Sequence, residues 1–321
     1  MRRELLEVVR CPACRRDRLA LHNELENGCE VRSGILECLS CGSKFPIRDG
    51  VVELLPSVDT QTLRERDVRD IKVRDWAVEG RRPYVNDNTS APWRWPAIAA
   101  NVEQGLHLLS LEGALALDIG AATCWSTRMM CERGAHSVAL DISTGMLRDG
   151  EAQFAAGVYF DRVAASMNDL PFLDETFDVV FASATIHHSD DLGRTLGEMG
   201  RVLKLRGRLL VVNEPVFGFL NRVSASRFAR EETELGMNEH VYYLKDYLNA
   251  AQTASLQTRT LVPASLEGQL SGKLPRPNTA MMKSLQAAWI RLPVPVRRFG
   301  FRIGGLLFGL PLVMISRRNA P

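Results

Sequence analysis

Hydrophobic residues between positions 114 and 262 fall into short runs, which longer amphipathic segments separate. Short apolar runs are typical of buried strands, and apolar residues three or four positions apart are typical of helices. The runs predict strands at Ala114–Ile119, Ser137–Leu140, Tyr159–Ala164, Phe177–Ser183, Arg208–Asn213 and Gln257–Val262. The other segments predict helices at Thr123–Arg133, Ser143–Phe154, Leu192–Leu205 and Lys245–Ala254. This alternation predicts an α/β fold with a Rossmann-like, doubly wound and mostly parallel sheet, whose ligands bind beyond the carboxyl ends of the strands.

The segments on either side of this series have different patterns. Asp59–Glu79 is highly charged and predicts a helical connector with a solvated face. Near the carboxyl terminus, apolar residues recur at helical spacing beside basic ones, at Met281, Leu285, Ala288, Trp289 and Leu292. Such a stretch fits a lid, a contact with an anionic membrane or a part of the core. We predict a small domain at 1–57, a connector and amino-terminal cover at 58–112, and a main domain at 113–321 with a lid at about 263–305 and a final strand.

The charge of the chain is nearly balanced, at a formal +2, so charge alone does not indicate a polyanion-binding protein. Its last part differs, since Gly268–Pro321 contains nine basic residues and no acidic ones. Glu4 and Glu7 interrupt the first apolar residues, so we predict no secretory signal. The uncharged apolar stretch Ile303–Ile315 has 13 residues, whereas a membrane-spanning helix needs ~20. Seven cysteines without a signal predict a reducing, cytoplasmic location.

Four of the cysteines form two C-x-x-C pairs with 23 residues between them. Each pair presents two thiolates on one turn, and structural zinc takes four such ligands in a tetrahedron. We predict a structural zinc ion bound by Cys11, Cys14, Cys38 and Cys41. Unrelated buried cysteines and a redox-active pair are the alternatives, and the second lacks the βαβ surroundings typical of such pairs.

The residues around these cysteines carry a family resemblance. The segment from Leu5 to Pro56, which includes LLEVVRCPAC and LECLSCGSKFPIRDGVVELLP, resembles the small zinc-ribbon domain that occurs alone as a methyltransferase activator and fused to bacterial methyltransferases. The resemblance implies a structural or docking module, because four cysteine ligands leave no zinc position open for catalysis.

Acidic residues end two predicted strands at the edge where ligands are expected. Asp118 and Gly120 end the first strand in ALDIGAATCWS, and Asp141 ends the second, 21 residues after Gly120. A carboxylate at the second position can accept both ribose hydroxyls of a nucleoside cofactor. These segments are followed by LPFLDETFDVVFASATIHHSDD and EMGRVLKLRGRLLVVNEP. In this order, the stretch from about Ala114 to Pro215 resembles the class I S-adenosylmethionine-dependent methyltransferases, in the branch called methyltransferase type 11.

The resemblance implies S-adenosylmethionine as cofactor and assigns residues to its parts. Asp118 and Gly120 belong to the motif beside the methionine portion, and Asp141 would bind the ribose. Ser166 and Met167 would meet the adenine, although the family usually has an aspartate where Ser166 stands. The predicted cofactor-binding residues are Asp118, Gly120, Ala122, Asp141, Ile142, Ser166, Met167 and Ser183.

The loop after the first strand has one glycine where cofactor loops usually have several, because Ala122 and Cys124 occupy the further positions. Glycine is required where the backbone approaches a ligand closely or takes a positive φ. S-adenosylmethionine has no pyrophosphate to cradle, so both residues are acceptable if φ stays negative. We therefore predict a working cofactor site and keep a degenerate one as the alternative.

Candidate catalytic residues lie near the same edge. His187 and His188 follow the fourth strand, and imidazole is the side chain best suited to act as a base near neutral pH. Glu214 ends the fifth strand, and His240 lies in GMNEHVYYLKDY, in a region that often forms the substrate wall. We predict catalytic or acceptor-binding roles for these four residues, with His188 the first choice. The alternatives are packing or hydrogen bonding for the histidine pair, a helix-start or salt-bridge role for Glu214 and loop organisation for His240.

These features predict an enzyme, a cytoplasmic S-adenosylmethionine-dependent methyltransferase acting on a small molecule, a lipid precursor or a natural product. The alternative is an RNA methyltransferase whose zinc ribbon and basic tail bind phosphates. Against it, the fourth strand lacks an Asn/Asp-Pro-Pro-Tyr/Phe motif, and no basic stripe is interleaved with stacking aromatics. A third interpretation is a non-catalytic partner protein with a methyltransferase fold. The sequence leaves open a peripheral membrane contact through the basic carboxyl-terminal segment.

Overall fold

A computed structural model describes residues 1–56, 63–71, 94–220, 230, 233–234, 236–240, 242–275, 280–289 and 291–319. Its strands are β1 (Leu19–Asn27), β2 (Glu30–Cys38), β3 (Lys44–Arg48), β4 (Val51–Glu53), β5 (Leu115–Ile119), β6 (His136–Asp141), β7 (Asp161–Ala164), β8 (Phe177–Ser183), β9 (Leu203–Glu214), β10 (Leu256–Thr260) and β11 (Leu312–Arg318). Its helices are α1 (Arg94–Leu106), α2 (Trp125–Cys131), α3 (Thr144–Asp149), α4 (Leu192–Val202), α5 (Leu244–Thr253), α6 (Ala264–Leu270), α7 (Ala280–Trp289) and α8 (Val294–Phe308). Residues 63–71 are also helical, and 3₁₀ helices form at Arg3–Glu7, Gly150–Ala156 and Ile186–His188.

The strands of the described residues form one sheet of eleven, in the order β1-β2-β3-β4-β7-β6-β5-β8-β9-β11-β10. From β4 to β9 in this order, neighbouring strands run parallel. The strands β1 to β4 pair antiparallel in succession, and β11 and β10 form an antiparallel edge at the other end. The predicted α/β fold is confirmed, but the whole sheet is mixed, with its parallel pairings in the centre and antiparallel pairings at both ends.

Apolar side chains cover both faces of the parallel strands, as a doubly wound sheet requires. On one face, Leu117 belongs to an apolar cluster with Leu196 of α4 and Tyr247 of α5. On the other face, Ala116 belongs to a cluster with Val102 of α1. Ala116 and Leu117 are neighbours in β5, so their separation into two clusters is the two-residue period of a strand. The helices are thereby held on both sides of the strands whose ends carry the site.

The amino-terminal ribbon continues the sheet of the main domain. β4 pairs with β7 in parallel, and Val51 lies opposite Arg162. Leu36 and Ile47 of the ribbon are buried in the same apolar cluster as Leu117 of β5. The ribbon and the main domain therefore share one sheet and one core.

A buried ion pair reinforces the joint between the two parts. The guanidinium of Arg162 is fully buried, 2.8 Å from Oε1 of Glu30 in the ribbon and 3.1 Å from Oε2 of Glu151. Its Nη2 also donates to the carbonyl oxygen of Asp49, at 2.9 Å. A buried charge is costly unless it is paired and hydrogen-bonded, so this arginine depends on the ribbon being seated.

One predicted helix is divided in the structure. The segment Ser143–Phe154 forms α3, and a 3₁₀ helix follows at Gly150–Ala156. A Cβ at Gly150 would lie 2.5 Å from Sγ of Cys124, so the backbone passes unusually close to the loop after β5 at this point. The sequence pattern did not indicate this contact, because it joins residues distant along the chain.

The carboxyl-terminal segment ends in β11, as predicted, but α7 and α8 precede it, and several of their described apolar side chains are exposed. Ala288 and Leu292 of the predicted stripe are exposed, so these side chains do not complete the core. On α8, exposed apolar residues recur three or four positions apart and share one face: Val296, Phe299, Ile303 and Leu307. Among the described helices, none has the length and hydropathy that crossing a bilayer requires.

Candidate functional site

The four predicted zinc ligands meet at one end of the ribbon. Cys11 and Cys14 lie in the turn after the first 3₁₀ helix, while Cys38 ends β2 and Cys41 lies in the turn before β3. The Sγ atoms of Cys11 and Cys41 are 3.7 Å apart, and those of Cys14 and Cys38 are 3.6 Å apart. Zn–S bonds of ~2.3 Å in a tetrahedron place sulfur atoms about 3.8 Å apart. The four thiols therefore fit one structural zinc ion.

A second candidate site is a cavity at the carboxyl ends of the parallel strands. Gly120 and Ala165 line it just beyond β5 and β7, Asp141 lines it as the last residue of β6, and Thr185 lines it beyond β8. This is the edge at which ligands bind in doubly wound sheets. Of the predicted cofactor residues, five line the cavity: Gly120, Asp141, Ile142, Ser166 and Met167.

The loop after β5 contradicts the expectation of a negative φ. Gly120 has a φ of 69°, Ala122 of 47° and Cys124 of 60°, all in the left-handed region. Gly120 is required for a second reason, because a Cβ there would lie 2.1 Å from Oγ1 of Thr185. For Ala122 and Cys124, the left-handed conformation costs roughly 1–2 kcal/mol each. The predicted Ala122 does not line the cavity, and its amide donates to Oδ2 of Asp141 at 2.9 Å.

Asp118 lies beneath the loop, buried and outside the cavity lining. Its Oδ2 accepts hydrogen bonds from Oγ of Ser126 at 2.7 Å and from Oγ1 of Thr127 at 2.6 Å. Burial raises the pKa of the Asp118 carboxyl to about 7, although these hydroxyl donors act in the opposite direction. The position supports a role in holding the start of α2 against β5.

Asp141 occupies the cavity wall at the end of β6. Its Oδ1 accepts from the amide of Ser143 at 2.9 Å, while Oδ2 accepts from that of Ala122. Each carboxylate oxygen has two lone pairs, so both can still accept a hydroxyl group. The two backbone donors fix the orientation of the carboxylate before any ligand binds.

The predicted adenine wall is held from outside by the ribbon. Ser166 and Met167 line the cavity, and the neighbouring acid, Asp169, turns away and pairs with Arg15 of the ribbon at 2.7 Å. The amide of Arg10 also donates to the carbonyl of Pro171, at 3.0 Å. The predicted Ser183 is not part of the wall, and its Oγ accepts from the side chain of Asn213 at 3.1 Å.

The charged connector contributes side chains to the cavity from one side of its helix, while Arg64 and Asp67 are exposed. Glu65 and Arg69 both line the cavity, and Arg69 Nη2 lies 2.8 Å from Oε1 of Glu65. Burial raises the pKa of the Glu65 carboxyl despite this guanidinium. Asp70 accepts from the Ser143 hydroxyl and from the Gly145 amide, at the start of α3. The spacing of Glu65 and Arg69 on one helical face was the available sequence signal, but it is also common on solvated helices.

Glu214 organises the segment after β8 rather than lining the cavity. Its fully buried carboxylate accepts from the backbone amides of Thr185 at 2.8 Å, Ile186 at 3.0 Å and His187 at 3.2 Å. Oε2 also lies 2.7 Å from Nδ1 of His187. Because a carboxylate only accepts, that ring nitrogen is the donor. Burial lowers the pKa of the His187 imidazole, but Glu214 and then Glu239 outweigh it and raise that pKa to about 9.

His188 is the predicted catalytic residue that lines the cavity. Its Nδ1 lies 2.8 Å from the carbonyl oxygen of Asn238, so Nδ1 is the donor and Nε2 keeps a lone pair in the neutral ring. The ring of His240 lies outside the cavity lining, where Nε2 is 2.9 Å from Oδ1 of Asn238. The His240 amide donates to the carbonyl of His187 at 3.0 Å. The structure thus brings the four predicted residues into one network and exposes His188 to the cavity.

The four-cysteine ribbon, the strand order and the cavity are those of a class I methyltransferase fold joined to an amino-terminal zinc ribbon. Residues 117–211 match the family described as Methyltransferase domain, of the type 11 branch, and residues 2–50 match the family described as Trm112p-like protein. The family resemblance predicted for both parts of the chain is confirmed.

Demethylmenaquinone methyltransferase from Thermobifida fusca is 33% identical over 154 residues, which make up 46% of this chain and 62% of that relative. The chain spans less than two thirds of the length of the first curated relatives that it matches.

Two solved structures have the same fold. Geranyl diphosphate C-methyltransferase from Streptomyces coelicolor, in complex with Mg²⁺, geranyl diphosphate and S-adenosyl-L-homocysteine, has a TM-score of 0.54 at 13% identity and covers 83% of this chain and 100% of that one. A complex of the Haloferax volcanii Trm112 methyltransferase activator with a methyltransferase has a TM-score of 0.50 at 17% identity and covers 80% and 98%. At these identities the likeness shows the fold alone.

Proposed function

We propose that this chain binds S-adenosylmethionine in the cavity and transfers its methyl group to a small-molecule acceptor. The observation that carries the proposal is the grouping of Gly120, Asp141, Met167 and His188 around one cavity at the carboxyl edge of the sheet. Named relatives such as demethylmenaquinone methyltransferase add support for the reaction and for a small-molecule acceptor.

The chain's own residues would bind and orient the cofactor, which supplies an electrophilic methyl group when bound. The Asp141 carboxylate, fixed by two backbone amides, would accept the ribose hydroxyls. Ile142 and Met167 would provide apolar walls for the adenine. Positioning of this kind supplies much of the rate enhancement of a bimolecular reaction.

His188 supports an acceptor-binding or proton-accepting role on the same cavity. In its neutral form the ring keeps a lone pair at Nε2, because Nδ1 donates to the Asn238 carbonyl. Glu214 and His187 would position His188, since they hold the segment after β8 in place. We regard them as positioning residues.

For the acceptor, we favour an amphiphilic molecule reached at a lipid surface. The exposed apolar face of α8 continues at the turn Phe219–Leu220, whose Leu220 amide donates to the carbonyl of Leu307 at 2.7 Å. Exposed Arg291 and half-buried Arg297 flank this face, and no acidic residue follows Glu267 in the sequence. A basic apolar face of this kind suits an anionic lipid surface.

The RNA alternative has less support from the ribbon. Six of its arginines each have a carboxylate at 3.4 Å or less, namely Arg2, Arg3, Arg10, Arg15, Arg32 and Arg48. Cations that are paired within the protein contribute less to phosphate binding, which depends on releasing counterions from nucleic acid.

The test is metabolite profiling with an isotopically labelled methyl donor, with and without the protein, together with calorimetry of S-adenosyl-L-homocysteine binding. We expect saturable binding and one labelled small-molecule product. Binding without any labelled product would favour a non-catalytic partner protein. Labelled RNA would favour the alternative.

A further inference from the structure

Two histidines and a glutamate converge beside the cavity. His187, His188 and Glu239 each offer a ligand atom, and these three atoms lie within 4.8 Å of one another. Nε2 of His187 is 3.5 Å from Oε2 of Glu239, and Nδ1 of His188 is 3.7 Å from Oε1 of the same carboxylate. Ligands bound to one ion at ~2.0–2.2 Å lie about 3.0–3.5 Å apart. Small side-chain adjustments would therefore bring the three donors onto a common ion.

The surroundings of His187 are those of a metal-binding histidine. Nδ1 donates to the buried carboxylate of Glu214 at 2.7 Å, so Nε2, on the opposite side of the ring, faces Glu239. A carboxylate behind the histidine fixes the ring orientation and makes the other nitrogen a better ligand. Glu214 is itself fixed by three backbone amides, so this orientation does not depend on a ligand.

Negative charge accumulates at the same place. Glu65, Glu214 and Glu239 are nearly or fully buried around the two imidazoles, and Oε1 of Glu65 lies 3.7 Å from Nδ1 of His188. Arg69 pairs with Glu65, but it lies on the connector side of the cluster. Buried charges are normally paired or bound to metals. A divalent cation between the imidazoles and Glu239 would offset the remaining negative charge.

We propose that His187, His188 and Glu239 bind a divalent transition-metal ion at the wall of the cavity. Two imidazoles and one carboxylate suit Mn²⁺, Fe²⁺ or Zn²⁺ and leave coordination positions open for a ligand oxygen. Binding the ion releases the proton from Nε2 of His187, while His188 changes tautomer, its Nδ1 giving up the hydrogen bond to the Asn238 carbonyl and its Nε2 taking the proton, so that each imidazole offers one lone pair to the metal. If the proposed function holds, on which this step rests, the ion would bind an oxygen atom of the acceptor. His188 would then act as a ligand and not as a base.

The ribbon complicates a zinc measurement, so Mn²⁺ is the better probe. Mn²⁺ prefers nitrogen and oxygen donors and binds thiolates poorly. Full-length protein that retains its ribbon zinc would be titrated with Mn²⁺, and the paramagnetic resonance signal of free Mn²⁺ would be followed. We expect about one saturable Mn²⁺ per chain in the wild type. The Kd should rise more than ~10-fold in Glu239→Gln and ~10–100-fold in Glu214→Gln.

Glu267→Gln is the matched control, because Glu267 is exposed on α6. The Kd of this variant for Mn²⁺ should equal that of the wild type. Circular dichroism and S-adenosyl-L-homocysteine affinity verify that each variant is folded. Absence of saturable Mn²⁺ binding, or a Kd that Glu239→Gln leaves unchanged, would overturn the metal site. Binding of S-adenosyl-L-homocysteine without binding of Mn²⁺ would leave the proposed function intact. Binding of Mn²⁺ without binding of S-adenosyl-L-homocysteine would reject the proposed cofactor and keep the metal site.

Discussion

Ala122 holds a left-handed backbone, with a φ of 47°, between the cavity loop and α2. Replacing it with glycine removes about 1–2 kcal/mol of strain but makes the unfolded chain freer by about 0.4–1 kcal/mol. We therefore expect Ala122→Gly to raise the free energy of unfolding by about 1 kcal/mol or less. Ala121→Gly is the control, because Ala121 is buried without a positive φ and should lose about 1 kcal/mol. Urea unfolding of both variants measures the difference, and equal losses would contradict the expectation.

Asp118 should make stability depend on pH. Burial raises the pKa of its carboxyl to about 7 in the folded protein, against an ordinary value of ~3.9 in the unfolded chain. The folded state therefore binds the proton more tightly. Its stabilising contribution is complete below pH ~4 and is lost as the pH rises through about 7.

In Asp118→Asn this contribution is removed. We expect the wild type to lose stability relative to the variant between pH 5 and pH 8, as measured by urea unfolding at several pH values. Parallel pH profiles for the two proteins would show that Asp118 is ionised throughout this range.

Individual residues differ in how far the sequence determined their place. Asp141 and Met167 were predictable because they follow strands of a recognisable series, and strand ends meet at one edge. Glu65 and Arg69 were not, since a charged helix is ordinarily solvated, and only tertiary contact buries Glu65 and brings Arg69 to the cavity. The strain at Ala122 was also hidden, because nothing in its neighbours requires a positive φ.

The exposed face of α8 gives a prediction at the scale of elements. Phe299 is 65% exposed in the middle of this face, and inserting it into a bilayer would bury a large apolar side chain. We expect Phe299→Ser to reduce co-sedimentation with vesicles of anionic phospholipid by several-fold. Leu25→Ser is the control, because Leu25 is equally exposed at 66% but lies on β1 of the ribbon. Binding should also weaken with salt. If the wild-type protein does not co-sediment with the vesicles, the proposal of a lipid surface is wrong.

Strands and helices with strong periodicity were predictable in kind, and their ends were less so. β9 extends to twelve residues, from Leu203 to Glu214, beyond the predicted Arg208–Asn213. Its extra residues pair with neighbours that the local pattern does not specify, including Phe177 opposite Leu203. Local sequence sets the type of element, whereas partners across the sheet set its length.

At the scale of the whole molecule, zinc binding and the main domain should be coupled. All five tryptophans lie outside the ribbon, so their fluorescence reports unfolding of the rest of the chain. Because the ribbon shares a sheet and a core with the main domain, we expect Cys11→Ser to lower the tryptophan-detected Tm by at least ~4 °C. Cys29→Ser is the control, since Cys29 is exposed and outside the four-cysteine cluster. Loss of zinc with an unchanged Tm would show two independent units.

The pairing of β4 with β7 also has a consequence for the newly synthesised chain. Val51 and Arg162 lie opposite each other but are 111 positions apart, whereas the hairpin of β1 and β2 closes between neighbours such as Asn27 and Glu30. At ~5–20 residues per second, a ribosome would take roughly 6–22 seconds to travel from the codon for Val51 to that for Arg162. The ribbon can fold during this interval, and the edge of β4 stays open to other chains until β7 emerges. The length of β4, three residues, limits that exposure. Assembly would then proceed in order of synthesis, with the ribbon providing the first edge onto which the methyltransferase sheet is built.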